Sequence, residues 1–118
     1  MNNVNYLTLT KNIMGNGLTD GELVESLNIP NVPVIQQTIL KLVERGINDE
    51  KVHKKLLEYS ECMDPEFKVL GLCKIGHLAI YALERLNFTE DFQSIYEKLS
   101  EEDKEQVVYL RKAFEQVK

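Results

Sequence analysis

The feature that most constrains the fold is the apolar stretch from Asp64 to Leu86. Asp64 can cap a helix, and Pro65 suits the first helical position, where its missing N–H is no loss. At about 100° per residue, most of the circumference of such a helix would be apolar. The narrow polar strip that remains would consist of Lys74, His77, Tyr81, Glu84 and Arg85. Because so apolar a helix must be covered on most sides, the sequence predicts that it is the core helix.

Gly76 lies in the middle of the apolar face of this predicted helix. An interior glycine costs roughly 1 kcal/mol relative to alanine, so it usually has a packing reason. We therefore expect a neighbouring helix to approach closely at Gly76, where there is no side chain to keep it away.

The length and composition are those of an ordinary globular domain. The 118 residues can bury a core without metal or disulfide support, and we expect one domain over residues 1–118. No apolar run reaches the ~18 residues of a membrane span, and residues 1–15 lack the basic start of a secretory signal. Cys62 and Cys73 are therefore interpreted as reduced structural thiols of a cytoplasmic protein.

Acidic residues are concentrated between Glu84 and Glu105. This segment holds eight carboxylates and three basic residues, and the difference equals the net charge of the whole chain, −5. Such a segment can be ordinary solvated surface, or it can steer a basic partner toward the protein. Its sign argues against DNA or RNA as the ligand.

Capping residues and apolar periodicity predict helices along the rest of the chain. The predicted helices span residues 20–27 after a capping box at Thr19, 32–45 before Gly46, 48–62 capped by Asn48, a segment from Asn87 or Thr89, and 101–117. Residues 1–17 are left open between a short helix and an extended arm. Since no stretch alternates with period two for long enough to make a strand, the sequence predicts an all-α fold of about six helices.

Short loops of about two to four residues would hold neighbouring helices antiparallel, and stacked helix pairs form an α-solenoid. The segment 64–68 followed by 70–79 resembles the first helix of a HEAT-like repeat. More narrowly, Ile75-Gly76-His77-Leu78-Ala79 is similar to small bacterial HEAT-like proteins that are immunity proteins beside polymorphic or contact-dependent toxins. The similarity spans residues 32–117 and implies a HEAT-like α-solenoid. Ile80 departs from it, since many relatives have a basic residue there.

The resemblance also implies a function, namely a cytoplasmic antidote that covers the active site of a cognate toxin domain. A basic toxin such as a nuclease holds phosphates with lysine and arginine, so an acidic surface with tyrosines would complement it. The residues expected on that surface are Glu97, Glu101, Glu102, Asp103 and Glu105, with Tyr81, Tyr96 and Tyr109 as anchors. If that segment is ordinary surface, the exposed residues of helix 48–62 are the next candidate face.

The sequence contains no recognisable catalytic or metal-binding pattern. His53 and His77 fall on different predicted helices, each without a second ligand at metal spacing, and we expect His77 to be half-exposed at the core edge. Cys62 and Cys73 lack a polar activating neighbour. We therefore expect no enzyme activity, no metal and no cofactor.

Two alternative functions remain open at this stage. Residues 23–27 and 34–45 can be laid on a helix-turn-helix with Asn28-Ile29 as the turn. The exposed side of its second helix would offer DNA only Gln36, Gln37, Lys41 and Arg45. The other alternative is a helical adaptor without an antitoxin role, and the oligomeric state cannot be predicted.

Overall fold

The computed structural model describes residues 6–70 and 72–115. Within them the helices are α1 Tyr6–Met14, α2 Asp20–Glu25, α3 Val32–Arg45, α4 Glu50–Tyr59, α5 Ile75–Arg85, α6 Thr89–Glu97 and α7 Glu101–Glu115. A two-stranded antiparallel hairpin, β1 Lys68–Leu70 and β2 Cys73–Lys74, separates α4 from α5 in the chain. The predicted helical character is confirmed, with seven described helices and not about six, and the prediction of no strand is wrong.

Local capping explains where α2 and α3 begin and where α3 ends. The Thr19 hydroxyl accepts a hydrogen bond from the Glu22 N–H at 3.2 Å, while Glu22 Oε1 accepts one from the Thr19 N–H at 2.9 Å, a complete capping box. The Asn31 side chain accepts from the Val34 N–H at 3.1 Å at the start of α3. Gly46 ends α3 with φ 70°, a left-handed conformation that glycine adopts without strain. The starts of both helices and the end of α3 follow the sequence prediction, whereas α2 ends at Glu25 and not at Leu27, and Ser26–Asn28 form a 3₁₀ turn.

The start of α4 differs from the prediction by one residue. Asp49, and not Asn48, is the cap, because its Oδ1 accepts a hydrogen bond from the Val52 N–H at 3.0 Å. The Asn48 side chain instead donates to the Leu86 carbonyl at 3.2 Å. Asn48 thus ties the start of α4 to the end of α5, a contact between distant residues that local pattern does not reveal.

Helix α5 is the centre of the molecule and packs against α3, α4, α6 and α7. Every residue from Ile75 to Leu83 is buried. This includes His77 and Tyr81 of the predicted polar strip, which are 1% and 2% exposed. The prediction of a core helix is therefore confirmed for residues 75–85, and the strip is narrower than predicted.

The first half of the predicted core helix, as far as Lys74, is not α-helical. Residues Pro65–Phe67 form a 3₁₀ turn, and the hairpin follows before α5 begins at Ile75. Leu72, one of the apolar residues that a core helix over 64–86 is expected to bury, is 69% exposed. The HEAT-like segment 64–79 therefore does not form one helix. A cap followed by proline also suits a 3₁₀ turn, so the local signal did not distinguish the two structures.

Gly76 is a point of close approach, as predicted. A Cβ atom at this position would lie 2.7 Å from Met63 Sδ and 2.9 Å from the Cys62 carbonyl oxygen. The Gly76 N–H donates a hydrogen bond of 2.9 Å to that same oxygen. The close neighbour is thus the turn that follows α4, and not a helix as expected.

The ends of the chain complete the fold. Residues 1–17, left open by the sequence, contain α1, which packs against α3 and buries Ile13. Helix α7 is described as far as Glu115, so the last two residues of the predicted helix 101–117 lie outside the described residues. Among the described helices, none combines the length and the hydropathy needed to cross a bilayer.

Candidate functional site

Tyr81 does not reach the surface, which corrects its prediction as an anchor. It is buried in α5, and its ring centroid lies 5.8 Å from that of Phe114 on α7. Burial raises the pKa of its hydroxyl above the ordinary value. The face of α5 that looked polar in sequence is covered by α7, so Tyr81 belongs to the core.

Asp103 is half-buried because it binds a buried histidine. Its Oδ1 lies 2.9 Å from Nε2 of His77, and His77 Nδ1 accepts a hydrogen bond from the Lys74 N–H at 3.0 Å. Since Nδ1 is an acceptor, Nε2 carries the proton and donates to Asp103. We call this the His77 junction. It joins the start of α5 to the start of α7, and it corrects the predictions that His77 is half-exposed and Asp103 is free surface.

Four of the predicted residues do come together, in a groove on the outer side of α7. This α6–α7 groove has a volume of about 630 Å³. It is lined by Tyr96, Glu101, Lys104, Glu105, Val108, Tyr109 and Lys112. Tyr109 is 48% exposed, whereas Tyr96 is half-buried. Two carboxylates and two ammonium groups line the groove, so its formal charge is zero.

The sequence prediction missed the lysines and the valine of this groove. Lys104, Val108 and Lys112 are spaced four residues apart, as are Glu101, Glu105 and Tyr109. Residues three or four apart lie side by side on a helix, so both rows face the same groove. This periodicity in α7 was visible in the sequence and would have identified them.

Cations cover the ring of Tyr96. Lys104 Nζ lies 5.6 Å from the ring centroid and 3.8 Å from Glu101 Oε2, and the Arg111 guanidinium lies 5.9 Å from the same centroid. Such cation–π contacts stabilise the helix pair. Tyr109 is consequently the more exposed of the two tyrosines of the groove and the one more available to a partner.

Two other carboxylates of the acidic segment 84–105, Glu84 and Asp91, bind groups of other helices. Glu84 forms two hydrogen bonds with Arg111, at 2.7 and 2.6 Å, and these raise the pKa of the Arg111 guanidinium. Asp91 lies 2.5 Å from His53 Nε2, and Arg85 lies 3.5 Å from Glu115. The carboxylates of the segment without an ion pair to any described residue are Glu90, Glu97, Glu102 and Glu105.

The two thiols have no activating surroundings. Cys73 is buried with Sγ 3.3 Å from the Gln106 side-chain oxygen, and burial raises its pKa to about 11. Burial also raises the pKa of Cys62. Both groups are therefore thiols and not nucleophilic thiolates near neutral pH. Over residues 6–70 and 72–115, no three His, Cys, Asp or Glu side chains are grouped so that they could hold a metal ion.

In α3, the recognition helix of the DNA-binding alternative, the side chains of Lys41 and Arg45 bind other groups of the same protein. Lys41 is buried, with Nζ 3.2 Å from the Met14 carbonyl and 3.1 Å from Glu44 Oε2. Arg45 donates to Asp20 at 2.8 Å and to the Leu18 carbonyl at 2.9 Å. These engagements argue against phosphate binding by α3.

The α6–α7 groove is therefore where the predicted partner-binding residues meet, with Tyr96, Tyr109, Glu101 and Glu105 in its lining. Glu97 and Glu102 are exposed outside it. An aromatic side chain flanked by carboxylates and lysines can bind a polypeptide through packing and hydrogen bonds. Comparison of the chain with protein-family models, with curated proteins and with solved structures gave no match.

Proposed function

We propose that this protein is a cytoplasmic immunity protein that binds a cognate basic toxin domain, such as a nuclease, and covers its active site. The observation that carries the proposal is the exposed Tyr109 on α7, with Glu105 and Glu101 one and two turns before it in the same groove. Exposed tyrosines at the centre of a patch are frequent binding hot spots. Carboxylates beside them accept hydrogen bonds from lysine and arginine.

The roles of shape and charge are separate in this proposal. The α6–α7 groove is formally neutral, so it supplies packing and directed hydrogen bonds. Long-range attraction comes from Glu90, Glu97 and Glu102, which are exposed and have no ion pair with a described residue. Such charges mainly raise association rates and act over a Debye length of ~8 Å at physiological salt.

The proposal includes a HEAT-like arrangement of helix pairs. Consecutive helices α4 and α5, and α5 and α6, pack against each other, which supports paired helices. The contact of α5 with four helices makes a more enclosed arrangement than a long solenoid, in which each repeat touches only its neighbours. The proposed relation is therefore to short, compact members of that architecture.

The test is a binding experiment with the product of a toxin-like reading frame adjacent to the gene. We expect the two proteins to co-purify, and association to slow as salt rises. Glu101→Lys with Glu105→Lys changes the formal charge of the groove from zero to +4, which repels a basic partner, so association should slow about tenfold. Tyr109→Ala should speed dissociation by a similar factor. The matched control is Glu61→Lys with Glu66→Lys, which changes net charge equally at exposed positions outside the groove.

The possible outcomes test the proposed function and the proposed contact surface separately. If no complex forms with the adjacent product, and its toxicity is unaffected by this protein, the proposed function is wrong. If a complex forms but both charge variants associate alike, the α6–α7 groove is not the contact surface.

A further inference from the structure

We infer that a second groove, between α2 and α4, binds a cationic segment of another protein that carries an apolar side chain at its centre. This α2–α4 groove has a volume of about 980 Å³. No residue lines both this groove and the α6–α7 groove. The inference therefore goes beyond the proposed function, and either can fail without the other.

The floor of the α2–α4 groove is apolar. It is formed by Val24, which is nearly buried, and by Ile29 and Ile47, which are half-exposed. All three pack against the core, so their positions are fixed by the fold. A docked apolar side chain would remove the open surfaces of Ile29 and Ile47 from water, which is favourable.

Exposed carboxylates surround this floor. They are Asp20, Glu22, Glu25, Asp49 and Glu50. Lys51 is the single cation in the described lining, so the groove carries a formal charge of −4, against zero in the α6–α7 groove. Arg45, which pairs with Asp20 from outside the lining, still leaves three net negative charges.

Local roles of these carboxylates do not remove their charge. Glu22 and Asp49 accept hydrogen bonds from backbone N–H groups at the starts of α2 and α4. A backbone N–H carries no formal charge, so these bonds leave the formal charge of the groove unchanged. Lys51 approaches Glu25 only at 3.7 Å with both side chains largely exposed, a weak pair. Glu50 has no ion pair with any described residue.

The negative field has a boundary on α4. Lys51, Lys54 and Lys55 line a smaller depression next to the groove, together with Glu58. A bound segment would thus meet carboxylates along α2 and at the start of α4, and lysines farther along α4. Charge complementarity selects lysine or arginine around the apolar side chain of the occupant and excludes an acidic segment.

The test is a titration followed by backbone amide NMR, with a short synthetic peptide of lysine, leucine and alanine whose leucines have helical spacing. The same peptide with glutamate for every lysine is the paired probe. We expect the lysine peptide to shift the amide signals of Val24, Ile29 and Ile47, and the glutamate peptide to shift none of them. Shifts centred on the α6–α7 groove, binding by both peptides, or binding by neither would overturn the inference.

Charge variants make the test specific to the groove. Glu25→Lys with Glu50→Lys avoids the capping residues, and we expect it to weaken binding of the lysine peptide about tenfold. Glu61→Lys with Glu66→Lys gives the same net charge at exposed positions outside the groove and should change the affinity less than twofold. Equal weakening by both would mean a response to total charge and would overturn the inference. If the wild-type protein dimerises and Glu25→Lys with Glu50→Lys abolishes the dimer, the groove binds a second copy of this chain. That outcome would also overturn the inference.

Discussion

The α2–α4 groove and the acidic segment 84–105 differ in what their carboxylates bind. In the segment, Glu84, Asp91 and Asp103 bind a cation or a histidine on another helix, and Glu101 lies near Lys104. In the groove, Glu22 and Asp49 cap the starts of their own helices, and Glu25 and Glu50 have a weak ion pair or none among the described residues. Only Asp20 binds a cation of another helix at hydrogen-bond distance, and all five carboxylates accumulate around one concavity. The comparison teaches that the charge of a sequence segment does not predict the charge of a surface. The charge of a surface depends on where the fold places the cations and histidines that bind its carboxylates.

The difference also separates two kinds of contribution to stability. An ion pair or hydrogen bond between helices holds the packing together, so its loss should weaken the whole fold. An exposed carboxylate at a helix start contributes only locally. Substitutions in the two regions should therefore differ in size.

The largest expected effect comes from comparing Gly76, in the core helix α5 that the acidic segment is bound to, with Gly21 of the α2–α4 groove. Gly76→Leu should cost about 3 kcal/mol of unfolding free energy, because its Cβ alone would meet Met63 Sδ and the Cys62 carbonyl oxygen below 3 Å. Gly21→Leu, in the wall of the α2–α4 groove, should change the free energy of unfolding by about 0.5 kcal/mol or less. A Cβ added at Gly21 would meet no atom within 4 Å apart from the adjoining backbone of its own helix. Urea denaturation measures both. Similar midpoints for the two variants would contradict the close contact at Gly76.

The next effect concerns the His77 junction. Asp103→Ala should cost about 2 kcal/mol, because the buried His77 Nε2–H loses its acceptor. Asp103→Asn should cost less, since its amide oxygen can still accept. Glu102→Ala, at the exposed neighbouring position, is the control and should be nearly neutral. If Asp103→Ala and Glu102→Ala unfold at the same urea concentration, Asp103 is ordinary surface.

A smaller effect is expected for the half-exposed pair of Glu84 and Arg111. A double-mutant cycle with Glu84→Gln and Arg111→Met should give a coupling free energy of about 1 kcal/mol, because two hydrogen bonds join α5 to α7 there. Urea unfolding of the four proteins measures it. If the changes in unfolding free energy of the two single variants add up to that of the double variant, the pair contributes no coupling between α5 and α7.

The smallest effect is expected in the α2–α4 groove itself. Glu25→Lys with Glu50→Lys should change the free energy of unfolding by about 0.5 kcal/mol, mainly through Glu50 in the first turn of α4. Thermal and urea unfolding beside wild type check this. A loss as large as that of Asp103→Ala would mean that these carboxylates hold the fold together, and the contrast between the two regions would fail.

The sequence predicted those parts of the molecule that depend on local pattern. The capping box at Thr19, the end of α3 at Gly46 and the burial of the apolar side of α5 follow from spacing and residue type. The hairpin was missed because Asp64 and Pro65 start a 3₁₀ turn as well as a helix, and strand pairing involves residues on both sides of a turn.

The candidate sites were less predictable for the same physical reason. Tyr81 and His77 are buried because α7 covers α5, a contact between segments distant in sequence. The α2–α4 groove joins carboxylates of residues 20–25 with those of residues 49 and 50. Counting charges along the chain therefore pointed to the segment 84–105 and not to this groove.

The contacts along α7 also fix its register against α5. His77 meets Asp103, Glu84 meets Arg111 and Arg85 meets Glu115, so position rises together on both helices and they run parallel. The first two contacts are separated by roughly 10 Å along α5 and roughly 12 Å along α7. Sliding α7 by one turn, roughly 5.4 Å, would break all three contacts at once. The α6–α7 groove is thereby preorganised, so a partner that binds it would lose little conformational entropy in ordering α7.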